Sequence, residues 1–204
     1  MTKAATESPV STAAPVLEPP ALRINVNQYH AMIEHAILTE DMRAELLNGR
    51  IVEKMPIGEL HAACVFLISR YLERLLPGEI LCRTENPVTL PDYSEPEPDI
   101  AVVTFRSDLY AKGHPTGEEI RTIIEVAASS IYVDRNIKAA IYAAAGVSEL
   151  WIVNLNNFTL EVYRKPTPDG QYDYREVFGF TDTFSTREFG ELNVAALFPE
   201  GTEP

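Results

Sequence analysis

Glu97-Pro98-Asp99-Ile100-Ala101-Val102-Val103 and Arg121-Thr122-Ile123-Ile124-Glu125-Val126-Ala127 decide the fold. Both are short apolar runs rich in Ile and Val. Each is too brief for a helix, so each reads as a buried strand. Each also carries a single carboxylate at or near its edge. Set side by side in a sheet, the two strands bring Asp99 and Glu125 together, and paired carboxylates are how a protein holds Mg²⁺. The helix expected next, Asp134 to Ala145, carries Lys138. Its amine could steady a developing anion or orient a water. This is the layout of a metal-dependent phosphodiesterase.

Working outward, Val26-Asn27-Gln28-Tyr29 leads into a periodic stretch in which Tyr29, Ile33, Ala36 and Ile37 share a helical face, with Asn27 as N-cap. This helix is expected to cover the sheet. In Glu45-Leu46-Leu47-Asn48-Gly49-Arg50-Ile51-Val52 the Asn-Gly pair predicts a two-residue hairpin turn, placing Glu45 on a strand. From Glu59 to Leu76, apolar spacing at Ala62, Val65, Phe66, Leu72, Leu75 and Leu76 predicts a long amphipathic helix stopped by Pro77-Gly78. Ile80–Arg83 and Pro87–Leu90 look strand-like, and Asp92, Glu95 and Glu97 read as a solvated acidic loop. Ser129 and Ser130 are candidate caps for the Asp134 helix, and Gly146 suits its left-handed end. Leu150–Val153, Phe158–Tyr163 and Tyr172–Phe178 complete a mixed β-sheet flanked by helices, with Trp151 in the core. The fold class is therefore mixed α/β, or α+β.

The chain has 204 residues, 46% of them hydrophobic, which suits one domain with a sizeable core. Residues 1–21, with Thr, Ser, Ala and Pro and no apolar run after Lys3, read as a disordered tail rather than a signal peptide. Residues 22–198 read as the domain and 199–204 as a C-terminal tail. No segment reaches the ~18 apolar residues a membrane helix needs. Cys64 and Cys82 lack paired metal spacing and read as buried thiols of a cytoplasmic protein. Seventeen Lys and Arg against 30 Asp and Glu give a net charge of -13, which disfavours non-specific adhesion to nucleic acid or anionic membranes. A nuclease would need a local basic groove, and Arg70, Arg74, Arg83, Arg106, Lys112, Arg121 and Arg135 are scattered candidates.

Taken together, several motifs resemble the Uma2 family of the PD-(D/E)xK restriction-endonuclease-like superfamily. They are the Glu45–Val52 hairpin, His61, Glu95-Pro96-Glu97-Pro98-Asp99, Ile124-Glu125-Val126-Ala127, Asp134 with Lys138 and Tyr142, and Ala145–Val153. The resemblance spans about Asn27 to Arg164. It implies a restriction-endonuclease-like core preceded by a helix and hairpin, and Mg²⁺-dependent (or Mn²⁺-dependent) hydrolysis of DNA. Asp99 and Glu125 would be the metal ligands. The superfamily lysine would stand two residues after Glu125, where this chain has Ala127, so the resemblance moves that role to Lys138 on the helix.

Each residue also has a plainer reading. Asp99 could be only a turn residue after Pro98, and Lys138 could form a surface ion pair with Asp134 four residues earlier, contributing roughly 0.3–0.5 kcal/mol. Glu125 resists such a reading, since a carboxylate inside an apolar strand is costly without a partner. Glu45 either completes a metal shell or flanks the hairpin. His61 is either a structural histidine or a site residue, and Tyr142 either supports the site or fills the core. Besides the nuclease, two further classes stand: a non-cleaving binding or regulatory module of the same fold, expected as a homodimer, and a structural oligomer whose acidity serves solubility. A buried acidic pair with Lys138 pointing in favours the enzyme, and a filled apolar pocket favours the module.

Overall fold

The computed structural model describes residues 21–75, 78–90 and 92–202. Helix α1 (Val26–Glu34) leads to the hairpin of β1 (Ala44–Leu47) and β2 (Arg50–Glu53), then α2 (Glu59–Glu73). Strands β3 (Ile80–Thr84), β4 (Ile100–Thr104) and β5 (Ile120–Ala127) follow. Next comes a continuous helical segment made of α3 (Ile131–Val133), a π-helical turn (Asp134–Lys138) and α4 (Ala139–Ala144). Strands β6 (Glu149–Asn154), β7 (Thr159–Thr167), β8 (Gln171–Phe178), β9 (Thr183–Ser185) and β10 (Glu191–Asn193) close the chain.

Strands β3 to β8 hydrogen-bond in sequence order into one sheet. All neighbours are antiparallel except β5 and β6, which run parallel from Thr122 opposite Glu149 to Ala127 opposite Asn154. A parallel pair needs a crossover, and the segment α3–π–α4 supplies it. That requirement lays the helix carrying Lys138 over the strand carrying Glu125.

Strand alternation then sorts the side chains into two layers. Ile100, Val102, Ile124 and Val126 point to a core with Cys64, Val65, Ile68 and Leu72 of α2 and with Trp151 and Phe184. Ala101, Val103, Ile123 and Ala127 point to the opposite core with Ile141 and Tyr142 of α4 and Leu47 of β1. Fully burying an Ile or Leu side chain contributes about 1.5–3 kcal/mol, so these layers fix the sheet between its helices. By the same alternation Glu125 shares the face of Ile123 and Ala127. Trp151 is fully buried, as expected, with an edge-on contact to Phe184 and its indole N–H donating to Glu149 Oε1 at 2.7 Å.

Several local expectations change. The N-cap of α1 is Asn25, whose side chain accepts the Gln28 N–H while Gln28 answers to the Asn25 N–H. Asn-x-x-Gln is a capping box, which Asn27 cannot form here. The helix covers the β1–β2 hairpin through Val26, Tyr29 and Leu46 rather than the main sheet, leaving Ile33 and Ile37 exposed. On α2, Phe66 lies outside and Cys64 and Ile68 inside. Leu76 and Pro77 lie outside the described residues. Pro87–Leu90 forms no strand; the segment is extended with one bridge, Leu90 to Ser94. Asn48-Gly49 turns the hairpin as expected, with φ of 50° and 78°. Ser130 makes no side-chain cap of α3, whereas Gly146 ends α4 at φ 77°. Both cysteines are free, and burial pushes their thiols up to about 11 for Cys64 and about 12 for Cys82, where Glu73 adds to the effect. No described helix is long and apolar enough to cross a membrane.

Candidate active site

Asp99 stands just before β4, and with Ile100 opposite Ile124 its side chain falls beside β5. Its Oδ2 accepts the Val126 N–H at 2.6 Å and lies 3.2 Å from Nε2 of His61, at the start of α2. Glu125, 2% exposed, accepts the Tyr142 hydroxyl at Oε1 over 2.6 Å. Its Oε2 accepts the Asp99 N–H at a long 3.5 Å. Lys138 comes down from the π turn and places Nζ 3.3 Å from Glu125 Oε1 and 3.4 Å from Glu45 Oε2. Glu45 reaches this point from β1, where alternation turns it inward with Leu47, and its Oε2 also accepts the Glu97 N–H at 3.1 Å.

The π turn has a geometric role. It inserts an extra residue per turn, closed by the Ala139 N–H on the Asp134 carbonyl, and both Asp134 and Lys138 end up buried. Such turns are frequent at functional sites. Asp134 lines the same cavity, and the plainer reading of Lys138 as a surface ion pair with it does not hold, since neither side chain is at the surface.

Electrostatics follow from this crowding. Burial alone would pull the Lys138 ammonium down, but the charges of Glu125, Glu45, Asp134 and Asp99 outweigh it and hold the amine protonated. Burial raises Glu125 well above its ordinary value; Lys138 opposes this, and Asp134 and Asp99 reinforce it. Asp134 is pushed up to about 6, mainly by burial and against the pull of Lys138. For His61, burial lowers the imidazole, but the Asp99 hydrogen bond and charge exceed it, and the net shift is upward.

The residues surround a cavity of about 730 Å³. Its lining includes Asp99, Glu125, Asp134 and Lys138 and also the apolar side chains of Met55, Ile57, Leu60 and Leu155. The segments that follow β5 and β6 also line it, with Ala128, Ser129 and Ser130 after the one and Leu155 and Asn156 after the other. Ligands of open α/β sheets characteristically sit beyond the carboxyl ends of the strands. Among the described residues, no group of three or more His, Cys, Asp or Glu side chains is arranged to hold a metal ion. Asp99 and Glu125, the two hard donors brought side by side by the pairing of β4 with β5, both line the cavity.

All six residues singled out from the sequence meet here: Asp99, Glu125, Lys138, Glu45, His61 and Tyr142. Glu45 is engaged by Lys138 rather than aligned with the other two acids in a three-carboxylate shell. Sequence reasoning missed Asp134 as a cavity group and the apolar lining residues. The signal for Asp134 was its place four residues before Lys138, which in a buried helix turns both inward. The acidic loop is also not solvated throughout: Glu95 is buried, accepting from Thr89 at 2.7 Å and facing His30 at 2.8 Å, while Glu97 pairs with Lys54 at 2.5 Å. The basic groove does not assemble from the scattered arginines: Arg70, Arg106 and Arg135 each pair with a carboxylate.

A family model described as "Uma2: Putative restriction endonuclease" matches residues 26–196. No curated protein matches this chain. Among solved structures, the fold is similar to that of "a putative nuclease belonging to DUF820 from Anabaena variabilis ATCC 29413", with a TM-score of 0.66 and 19% identity, covering 86% of this chain and 97% of that one. That likeness is one of fold. The family match, in contrast, runs over most of the sequence and takes in every residue of the cavity described above, and by it the chain belongs to the Uma2 family.

Proposed function

We propose that the protein is a Mg²⁺-dependent endonuclease that hydrolyses phosphodiester bonds in DNA. One observation carries this reading: Lys138 is buried with its ammonium 3.3 Å from Glu125, on the cavity that Asp99 also lines. The rival reading as a silent module calls for a filled apolar pocket, whereas the cavity here is open beside its carboxylates.

The donors suit Mg²⁺ or Mn²⁺. Both are hard oxygen ligands, and Mg²⁺ is typically bound through one or two carboxylates while keeping several waters. A cation also answers the excess of acid around Lys138. When bound, the ion would polarise the phosphoryl group and acidify the attacking water. The chain's own residues do the rest. The Val126 N–H orients Asp99 and the Tyr142 hydroxyl orients Glu125, so each carboxylate presents a fixed face. Lys138, kept charged by its neighbours, offers N–H donors to the charge that builds on the phosphate oxygens. Glu45 also holds that ammonium, and His61 holds Asp99.

The test is cleavage of plasmid DNA with Mg²⁺ by the wild-type protein and by Asp99→Asn, Glu125→Gln and Lys138→Met. The expected result is metal-dependent nicking that falls by at least about a hundredfold in each variant, the order of loss seen when a single charge-stabilising donor is removed. Equal cleavage by wild type and variants would mean that the activity lies elsewhere.

A further inference from the structure

The cavity has two features that a nuclease acting on continuous duplex does not require. Its reactive groups are deep: Glu125 is 2% exposed and Lys138 7%. Its lining is also acidic, with eight carboxylates against two lysines and one histidine among the described residues. One of those lysines, Lys54, is already paired with Glu97.

Both features argue against a long polyanion lying across the mouth. Duplex binding gains most of its affinity from Lys and Arg neutralising a row of phosphates, whereas among the described residues the cavity lining holds only Lys54 and Lys138. A phosphate can still reach Asp99, Glu125 and Lys138 if the strand enters locally, one nucleotide at a time. The space available, about 730 Å³, falls within the roughly 300–1,000 Å³ of pockets that engulf a small molecule. The apolar lining residues Met55, Ile57, Leu60 and Leu155 offer surface for a base, and the exposed Ser129 and Asn156, which also line the cavity, offer polar groups for its edge. A base inside a duplex reaches such a place only by leaving the stack, at a cost of a few kcal/mol that an unpaired base largely avoids.

We propose that the cavity accepts one unpaired nucleotide of a DNA strand, its phosphate at Asp99, Glu125 and Lys138 and its base against the apolar lining residues, so that single-stranded or locally unpaired DNA is the substrate. The proposal rests on the nuclease reading and names the substrate class for it.

The test compares three DNAs of one sequence in Mg²⁺: a single strand, a fully paired duplex, and a duplex with one bulged nucleotide. Cutting of the single strand and of the bulge, at least about tenfold faster than the paired duplex, is the expected result. The salt dependence of single-strand binding should be shallow, a log–log slope of about -1, corresponding to one or two phosphates at roughly 0.7 per contact. Ser129→Leu and Asn156→Leu, both at exposed positions, should slow cutting while leaving Mg²⁺ binding by calorimetry unchanged. Equal cutting of paired duplex, or a slope steeper than about -4, overturns the proposal and leaves the nuclease reading standing. Cutting of none of the three, with Mg²⁺ bound, overturns both.

Discussion

Glu125 and Glu161 stand on one row across the sheet: Glu125 lies opposite Ile152 on β6, and Ile152 lies opposite Glu161 on β7. Each glutamate takes one cation from the same π turn, Lys138 for Glu125 and Arg135 for Glu161. Each also accepts a tyrosine hydroxyl, from Tyr142 at 2.6 Å and from Tyr163 at 2.7 Å. The two arrangements differ in solvent: Lys138 is buried, whereas Arg135 and Arg175, which both reach Glu161, are partly exposed. The outer pair fastens the turn to the sheet, and the inner pair faces the cavity.

Glu161 therefore has a stability role that titrates. Burial raises its carboxyl, but hydrogen bonds from Arg135, Tyr163 and Arg175 exceed that and hold it below the ordinary value. A depressed acid contributes stability above its unfolded value of about 4.3 and loses it as pH falls through the folded one. Glu161→Gln should lower urea stability at pH 7 by about 1.5–3 kcal/mol, the usual worth of hydrogen bonds to a charged group. At pH 3 the difference from wild type should shrink.

Lys138→Met should show the same direction of trend, in a higher pH window. Removing one partner of a buried ion pair typically costs about 3–5 kcal/mol because it leaves uncompensated charge. Asp134, already at about 6 with Lys138 present, would rise further without it and become neutral in mild acid. The destabilisation measured in urea should thus be large at pH 8 and smaller at pH 5. A cost independent of pH would mean that Lys138 acts through packing alone.

The hairpin turn can be tested separately from the chemistry. Gly49 sits at φ +78°, and a Cβ there would come within 2.7 Å of the Arg23 Cβ. Gly49→Ala should destabilise by more than the ~1 kcal/mol of an ordinary glycine effect, since both the conformation and the space are wrong. Asn25→Ala, which removes the cap of α1, should cost about 1 kcal/mol.

Much of the site was legible because strand chemistry is local. A carboxylate inside Ile123–Ala127 needs a partner whatever the fold, and Asn48-Gly49 specifies its turn in two residues. Other features depended on tertiary context. Asn25 and Asn27 are chemically alike, and only Gln28 three positions after Asn25 separates them. Pro87–Leu90 has strand composition, but Val88 and Leu90 are buried by packing against the sheet rather than by joining it. The pairing of Arg135 with Glu161 spans 26 residues and leaves no pattern in the sequence. The π turn likewise has no periodicity of its own in so short a stretch.

The central claim is that Asp99 and Glu125 form one cation site beside Lys138. The most direct measurement is calorimetric titration of Mg²⁺, repeated with Mn²⁺, into the wild-type protein and Glu125→Gln, with circular dichroism to show that both are folded. The account predicts saturable binding by the wild-type protein and its loss in the folded variant. Equal binding by both, or none by the wild-type protein, would contradict it.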